Sequence, residues 1–261
     1  MIKDLKIDIG GGGTNTSVAF SRLGLKTGCI CKLGEDEQGN DILKLLKKEK
    51  IKFLGKIEKG KKSGYSVILD SKEKNRTILT YKGVNNEISL NDIKKFKTKW
   101  LYCSSLLGKS FETQKKLLNI LKKRGVKFAF NPSDYLIKEK NLSYFLKNSD
   151  ILILNKDESK LLTKNKDLLK GLYNLTKGIV VVTDKNKLIS CYDGKDKYFL
   201  KPNKVKVVER TGAGDAFASG FVGGQVAGKS IKESLRIGLQ ESENVIQHFG
   251  AKNNLIRMKL K

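Results

Sequence analysis

The stretch that most constrains this chain is residues 207–224, which read VVERTGAGDAFASGFVGG. Its first valines are typical of a strand, the glycines around Ala213 predict a tight turn, and the run from Ala216 onward predicts a buried helix. Such a turn points backbone N–H groups into one hollow, and the helix dipole adds partial positive charge there. We therefore expect an anion site formed by Gly212, Ala213 and Gly214.

Asp215 stands in the first turn of this predicted helix, beside the expected anion site. A carboxylate in that place could take a proton from a hydroxyl group while the hollow stabilises charge on a phosphate. The alternative is that Asp215 only caps the helix, because Asp is a preferred capping residue and Gly-x-Gly turns are common. The first interpretation predicts phosphoryl transfer, and the second predicts no chemistry.

The same segment resembles the C-terminal signature of the ribokinase-like (PfkB) carbohydrate kinases, which runs Asp-Thr-x-Gly-Ala-Gly-Asp. The resemblance implies that Asp215 is the catalytic base. It also implies that Gly212, Ala213 and Gly214 hold the transferring phosphoryl group, and that Thr211, Gly212 and Gly214 lie at the nucleotide. A short motif gains weight when other motifs of the same family accompany it in the same order.

The chain departs from the signature at two positions, because Glu209 and Arg210 stand where the family has Asp and Thr. Members of the family often bind a monovalent cation, commonly K⁺, beside the anion hole. A guanidinium paired with Glu209 could supply that positive charge, in which case activity would not depend on K⁺. Alternatively, Arg210 points to solvent, as most arginines do.

A run of four glycines, residues 10–13, precedes a stretch with helical spacing that contains Asn15. Such a run could be a flexible turn, or it could let the backbone approach a polyhydroxyl ligand while Asn15 offers a donor and an acceptor. The segment resembles the Gly-Gly-x-x-x-Asn signature of the same family. The resemblance implies that Gly10, Gly11 and Asn15 bind the sugar hydroxyls.

The carboxyl ends of two further predicted strands carry polar residues, where parallel sheets usually bind ligands. Asn155 and Glu158 match the family's Asn-x-x-Glu motif, which implies that they organise hydrated Mg²⁺ near the phosphates. They could equally form a polar cap on the helix that follows. Thr183 ends the apolar strand 178–183 and by resemblance lies at the nucleotide, although residues 184–186 replace the glycine turn often found there.

Alternating strands and helices predict a mostly parallel sheet covered on both faces. By resemblance, residues 1–261 form one ribokinase-like three-layer α/β/α sandwich with a small β lid. The lid would contain strands near 2–9 and 63–82, the latter as a hairpin of 64–70 and 76–81, and could join two copies in a homodimer. Members of the family begin with a further core strand that carries a sugar-binding aspartate, and we expect this strand to be missing.

Residues 103–110 nearly spell the P-loop of nucleotide hydrolases between a strand and a helix. The first glycine that the loop requires is replaced by Cys103, so its amides cannot easily wrap around a triphosphate. We therefore expect no P-loop here, and expect Lys109 at the surface or at the rim of the site.

Composition excludes several classes of protein. With 39% hydrophobic residues and no apolar signal core or membrane span in its sequence, the chain is expected to be folded and cytoplasmic. Its net charge of +26 favours weak attraction to any polyanion, but the lysines are spread out and not interleaved with aromatics, so no specific nucleic-acid site is expected. The four cysteines contain no Cys-x-x-Cys pair and predict buried free thiols.

The motifs together predict an ATP-dependent sugar kinase that uses Mg²⁺. A nucleoside kinase of the same fold is one alternative. A noncatalytic polyanion-binding protein on a kinase scaffold is another, and it would show steep salt dependence and no turnover.

Overall fold

A computed structural model describes residues 6–70, 76–185 and 187–260. The strands are, in chain order, β1 (Gly28–Cys29), β2 (Lys32–Gly34), β3 (Lys52–Phe53), β4 (Lys56–Glu58), β5 (Tyr65–Asp70), β6 (Arg76–Tyr81), β7 (Trp100–Cys103), β8 (Lys127–Phe130), β9 (Ile151–Asn155), β10 (Ile179–Thr183), β11 (Ile189–Tyr192) and β12 (Lys197–Leu200). The helices are α1 (Gly12–Arg22), α2 (Glu37–Lys48), α3 (Gly108–Lys122), α4 (Asp134–Glu139), α5 (Ser143–Asn148), α6 (Lys156–Leu162), α7 (Leu168–Thr176), α8 (Ala213–Val226) and α9 (Ile231–Ile246).

The central sheet has the strand order β12-β11-β10-β9-β8-β7. Strands β7 to β10 pair in parallel, whereas β11 and β12 extend the sheet by antiparallel pairing. The parallel strands are joined by helical crossovers, as parallel pairing requires. Their carboxyl ends therefore meet at one edge of the sheet.

Side chains of β9 alternate between two cores, as the period of a strand dictates. Leu152 and Leu154 pack with apolar residues of α3, α4, α5 and α7 on one face. Ile151 and Ile153 pack with apolar residues of α8 and α9 on the other face. Both faces of the sheet are covered, and the predicted three-layer α/β/α sandwich is confirmed.

The predicted hairpin is present. Strands β5 and β6 pair antiparallel from Tyr65↔Tyr81 to Asp70↔Arg76 and form a separate two-stranded sheet. The predicted strand at 2–9 is not found in its described part, because residues 6–9 are irregular, and residues 2–5 lie outside the described residues. Within the described ranges, β7 pairs with β8 alone and β1 with β3 alone, so each of β1 and β7 has an unpaired edge.

In the part of the chain that the structure describes, none of the helices is long and apolar enough to cross a lipid bilayer. The four cysteines are free thiols, as predicted, and three of them are buried.

Helices α8 and α9 cross at a contact between glycines. A Cβ atom added at Gly220 would lie 2.7 Å from the Cα of Gly238 and 2.8 Å from the carbonyl oxygen of Ile237. These neighbours are backbone atoms, which cannot rotate away. The small residues of α8 therefore allow α9 to pack close to it, and this packing fixes the helix that carries Asp215.

We expect Gly220→Ala to lower the free energy of unfolding by about 1–3 kcal/mol, because the added methyl group overpacks this crossing. Urea denaturation would measure the change. Gly223→Ala in the same helix is a matched control, since the nearest atoms to its Cβ would be the rotatable Cδ1 atoms of leucines, with that of Leu23 the nearest at 3.0 Å. Equal stability of the two variants would contradict the prediction.

Candidate active site

The centre of the candidate site is a contact between the beginnings of α1 and α8. The Nδ2 atom of Asn15 donates a hydrogen bond of 2.8 Å to Oδ2 of Asp215, although 200 residues separate them. The other carboxylate oxygen, Oδ1, lies 3.4 Å from the position that a Cβ of Gly12 would occupy. The structure therefore brings the predicted base together with a predicted sugar-binding residue and leaves Oδ1 near the glycine run.

The turn before α8 has the backbone geometry that its sequence predicts. Gly212 is the N-cap and has a φ of 82°, in the left-handed region where glycine is favoured. The amide of Ala213 donates to the carbonyl of Arg210 at 3.3 Å, whereas no acceptor is found among the described residues for the amides of Gly212 and Gly214. A Cβ at Gly214 would meet nothing within 4 Å. Gly214 therefore borders open space, and two amides of the turn have no acceptor within the described part of the protein.

The loop after α9 packs against this turn. A Cβ at Gly212 would be 2.5 Å from the Cβ of Ala251, so glycine is required for this close approach as well as for the positive φ. The amide of Gly250 donates to Oε2 of Glu209 at 3.0 Å. The predicted anion site is thus held between the start of α8 and residues 250–251.

Lys252, the next residue of that loop, is only 5% exposed. Its Nζ lies 3.3 Å from Oδ1 of Asn15 and 3.8 Å from Oδ2 of Asp8. A buried lysine needs such partners, because an unpaired charge is costly to bury. Nothing in the sequence pattern indicated that the side chain of Lys252 reaches the site.

The surroundings of Asp215 act on its pKa in opposite directions. Burial raises the pKa of Asp215 above its usual value, whereas the hydrogen bond from Asn15 and the positive charge of Lys252 lower it. The net effect is a raised pKa. A general base works best when its pKa lies nearer the operating pH than that of a free aspartate.

Arg210 does not form the predicted pair with Glu209. Its side chain is exposed, and no ion pair of its guanidinium is found among the described residues. The carboxylate of Glu209 instead accepts a hydrogen bond of 2.5 Å from Oγ1 of Thr211 and the bond from Gly250. Thr211 thus contacts Glu209, and the alternative that Arg210 points to solvent is the one that the structure supports.

Asn155 and Thr183 lie side by side at the carboxyl ends of β9 and β10, where they are partners in the sheet register. Asn155 also caps α6. Its Oδ1 accepts from the amide of Glu158, and Oε2 of Glu158 accepts from the amide of Asn155, each at 2.8 Å. Asn155 and Glu158 therefore do form a polar cap on the helix that follows, which was one of the two interpretations of this motif.

The cap leaves Oε1 of Glu158 without a hydrogen bond among the described residues. The pKa of Glu158 is raised to about 7, first because of burial and then because of the nearby carboxylates of Asp134 and Asp157. Crowded carboxylates of this kind are relieved by a cation, and oxygen ligands suit Mg²⁺. Among the described residues no cluster of three or more His, Cys, Asp or Glu side chains is found that could hold a metal ion, so Glu158 offers a magnesium ion one free carboxylate oxygen besides the cap.

The serine hydroxyl of the P-loop-like segment is bonded within the protein. Oγ of Ser110 is buried and bonded to the backbone of Asn85 and Ile88. Lys109 is exposed, as expected.

One glycine of the run that the motif does not include lies close to Asp215. Thr14 donates to the carbonyls of Gly10 and Gly11, and Gly11 is the N-cap of α1 with a φ of 93°. The glycine that approaches Asp215 is Gly12, whose Cβ would lie 3.1 Å from Oγ of Ser104. Sequence reasoning missed Gly12 and Ser104, since neither belongs to the motif residues that were singled out.

A cleft with a volume of about 2710 Å³ opens in front of this centre. Residues 10–17 line one wall, and residues of the β5–β6 hairpin, such as Tyr65 and Ile78, line another. The predicted lid therefore faces the same space as Asn15. The lining residues include Thr211 but not residues 212–215, Glu158 or Thr183.

Comparison with known proteins agrees with this geometry. The sequence profile described as pfkB family carbohydrate kinase matches residues 2–257. An uncharacterized sugar kinase of Archaeoglobus fulgidus is 29% identical over 251 residues, which cover 92% of this chain and 99% of that protein. The ribokinase of Lactococcus lactis is 28% identical over 263 residues, covering 98% of this chain and 85% of that enzyme. A solved structure of an E. coli protein in complex with ATP and Mg²⁺ has a TM-score of 0.87 at 16% identity, covering 100% of this chain and 90% of the other.

The sheet, the glycine turn with Asp215 and the lid-facing cleft are together the architecture of a small-molecule kinase. The chain belongs to the pfkB family of carbohydrate kinases, because the family profile spans nearly its whole length.

We expect Gly12→Ala to lower kcat/KM for the acceptor about tenfold or more, because its methyl group would occupy the space beside Oδ1 of Asp215 and shift the reacting hydroxyl. Steady-state kinetics with varied acceptor would measure this. Gly13→Ala is the matched control, since its Cβ meets nothing within 4 Å. Kinetic constants for Gly12→Ala that equal those of Gly13→Ala would contradict the prediction.

Proposed function

We propose that this protein transfers the γ-phosphoryl group of ATP to a hydroxyl group of a sugar, with Asp215 as general base. The proposal rests on one observation, which is that the two oxygens of the Asp215 carboxylate have different surroundings. Oδ2 is held by Asn15, and Oδ1 is left next to the glycine run that faces the cleft. A carboxylate held in this way is oriented to accept a hydroxyl proton.

The acceptor would bind in the cleft between the glycine run and the lid. Asn15 retains one amide hydrogen beyond its bond to Asp215, and Gly10 and Gly11 present backbone to the same space. We propose that these residues bind the sugar hydroxyls and bring one hydroxyl oxygen to Oδ1 of Asp215. Holding the reactants in this geometry supplies much of the rate enhancement in phosphoryl transfer.

The start of α8 would hold the transferring phosphoryl group. The amides of Gly212 and Gly214 are unused among the described residues, and the positive end of the helix dipole lies at the same point. These fixed donors would stabilise the charge that develops on the phosphoryl oxygens. Thr211 would border the nucleotide beside them.

Asn155, Glu158 and Thr183 would serve the nucleotide and its metal. Mg²⁺, when bound, neutralises phosphate charge near the carboxyl ends of β9 and β10. We propose that Oε1 of Glu158 accepts hydrogen bonds from the water molecules bound to the magnesium ion, while Oε2 continues to accept the hydrogen bond from the amide of Asn155. Whether activity depends on K⁺ is a separate property. Comparing turnover in K⁺ with turnover in a large organic cation at equal ionic strength would test it.

The β5–β6 hairpin would be the lid and, we propose, a contact between two copies of the chain. It exposes apolar side chains along both strands, including Tyr65 at 57%, Leu79 at 57% and Tyr81 at 49%. Exposed apolar clusters of this kind commonly mark an interface. Sedimentation at several concentrations would show a dimer, and a monomer throughout would rule this contact out.

ATP consumption with a panel of pentoses, hexoses, phosphorylated hexoses and nucleosides tests the proposed activity. We expect turnover with a sugar. Preference for a nucleoside would favour the alternative of a nucleoside kinase with the same site. No turnover with any acceptor, together with steeply salt-dependent binding of polyanions, would favour the noncatalytic alternative.

For the base, we expect Asp215→Asn to lower kcat by about 10²–10⁴-fold while ATP binding is retained, because an amide cannot accept the hydroxyl proton. Turnover assays and calorimetric titration with ATP would measure the two effects separately. Asp196→Asn changes an exposed carboxylate in the turn between β11 and β12 and is the control. A kcat within about threefold of the native value would remove Asp215 as the base.

For the metal, we expect Glu158→Gln to raise the Mg²⁺ concentration that gives half-maximal activity several-fold, while the fold is kept. Gln can still complete a capping box but carries no charge for the cation, so the variant separates the two roles. Glu139→Gln, at an exposed position on α4, is the control. An unchanged Mg²⁺ requirement would leave Glu158 as a helix-capping residue only.

A further inference from the structure

Lys252 is the strongest feature of the site that the proposed mechanism does not use. Its ammonium group is buried beside the reacting centre, although lysine is almost never buried without a partner. Like Asp215, Lys252 is not among the residues that line the cleft. Among the described residues, the nearest polar atoms to its ammonium group belong to Asn15 and Asp8.

Two consecutive contacts connect Lys252 through Asn15 to Asp215. Nζ of Lys252 contacts Oδ1 of Asn15 at 3.3 Å, and Nδ2 of the same amide donates to Oδ2 of Asp215 at 2.8 Å. An amide group has one acceptor end and one donor end, so a cation on one side fixes which end faces the carboxylate. With Lys252 in place, Asn15 presents its N–H groups to Asp215.

The position of Lys252 is itself fixed by neighbouring contacts. Its backbone carbonyl accepts a hydrogen bond of 2.8 Å from Arg22, which also pairs with Glu49 at 2.6 Å. The preceding residue, Ala251, packs against Gly212. These two contacts fix the backbone from which the Lys252 side chain extends.

The charges that face this pair come from several elements. Asp8 from the N-terminal segment and Asp215 from α8 favour the charged form of Lys252, whereas Arg22 from α1 and burial oppose it, and the pKa of Lys252 is lowered. Around Asp215, the groups are Asn15 from α1, Lys252 and the phenol of Tyr102 from β7. Lys252 is thus the cation whose charge acts on the buried carboxylate.

We propose that Lys252 is a positioning residue that orients the Asn15 amide and keeps Asp215 ionised in its buried site. Burial would otherwise leave a larger share of the base protonated at neutral pH, and a protonated carboxyl group cannot accept the hydroxyl proton. The inference rests on the proposed role of Asp215 as the base. It adds that a residue of the loop after α9 controls how much of this carboxylate is ionised.

The direct test measures the titration of Asp215 without using activity. The ¹³C carboxyl signal of Asp215, assigned by its loss in Asp215→Asn, is followed against pH in the native protein and in Lys252→Met. We expect the midpoint in Lys252→Met to rise by about one pH unit, because the favourable charge is gone while the side-chain volume is kept. Lys232→Met, which removes an exposed charge from α9, should leave the midpoint unchanged.

The kinetic test uses the acceptor found in the substrate panel. We expect kcat/KM of Lys252→Met to fall about tenfold more at a pH below the acidic limb than at pH 9, where the base is ionised in both proteins. Lys252→Arg keeps a positive charge and should retain the native limb. An equal loss at every pH would show a purely structural effect.

The two measurements separate the possible failures. An unchanged Asp215 midpoint in a folded Lys252→Met protein overturns the role of Lys252, whatever the enzyme's substrate is. A raised midpoint in a protein that phosphorylates no acceptor supports the role of Lys252 and counts against the proposed function alone.

Discussion

The close contact between Gly212 and Ala251 is the constraint on which the site depends. It joins two segments that are far apart in the sequence, the turn before α8 and the loop after α9, and it tolerates no side chain on the glycine. Gly212 has a positive φ at the start of α8, and the loop that covers it also carries Lys252. One backbone contact therefore brings the first turn of α8 and the buried lysine together near Asp215.

The electrostatics of the site balance two opposing demands. Asp215 must be shielded from water to act as a base on a bound hydroxyl, but shielding favours its neutral form. One hydrogen bond from Asn15 and the charge of Lys252 offset part of this cost. At the start of α6, Glu158 is also partly shielded from water, but its charged neighbours are carboxylates, and its pKa rises to about 7. The pKa values of both carboxylates are therefore raised, and only that of Asp215 is opposed by a nearby positive charge.

The fold could be predicted well from the sequence because its signals are local. The alternation of strands and helices, the apolar runs of β9 and β10 and the glycine turn at 212–214 each depend on a few adjacent residues. The hairpin was predicted for the same reason. A strand was predicted near residues 2–9, but its described part, residues 6–9, is irregular, because a strand forms only where a neighbouring strand is available for pairing.

The site was predicted only in part, because its contacts join distant segments. Motifs identified Asp215 and Asn15, but the hydrogen bond between them, the approach of Gly12 to Ser104 and the burial of Lys252 depend on how α1, β7 and the C-terminal loop pack. A lysine in a chain with 53 basic residues gives no sign of being the buried one.

The hydrogen bond from Arg22 to the carbonyl of Lys252 joins α1 to the loop after α9. It holds that loop against the helix that carries Asn15 before any ligand arrives, so this part of the protein has little internal freedom left to lose when a ligand binds. Ligand binding then costs less entropy at this point than it would if the two elements moved independently.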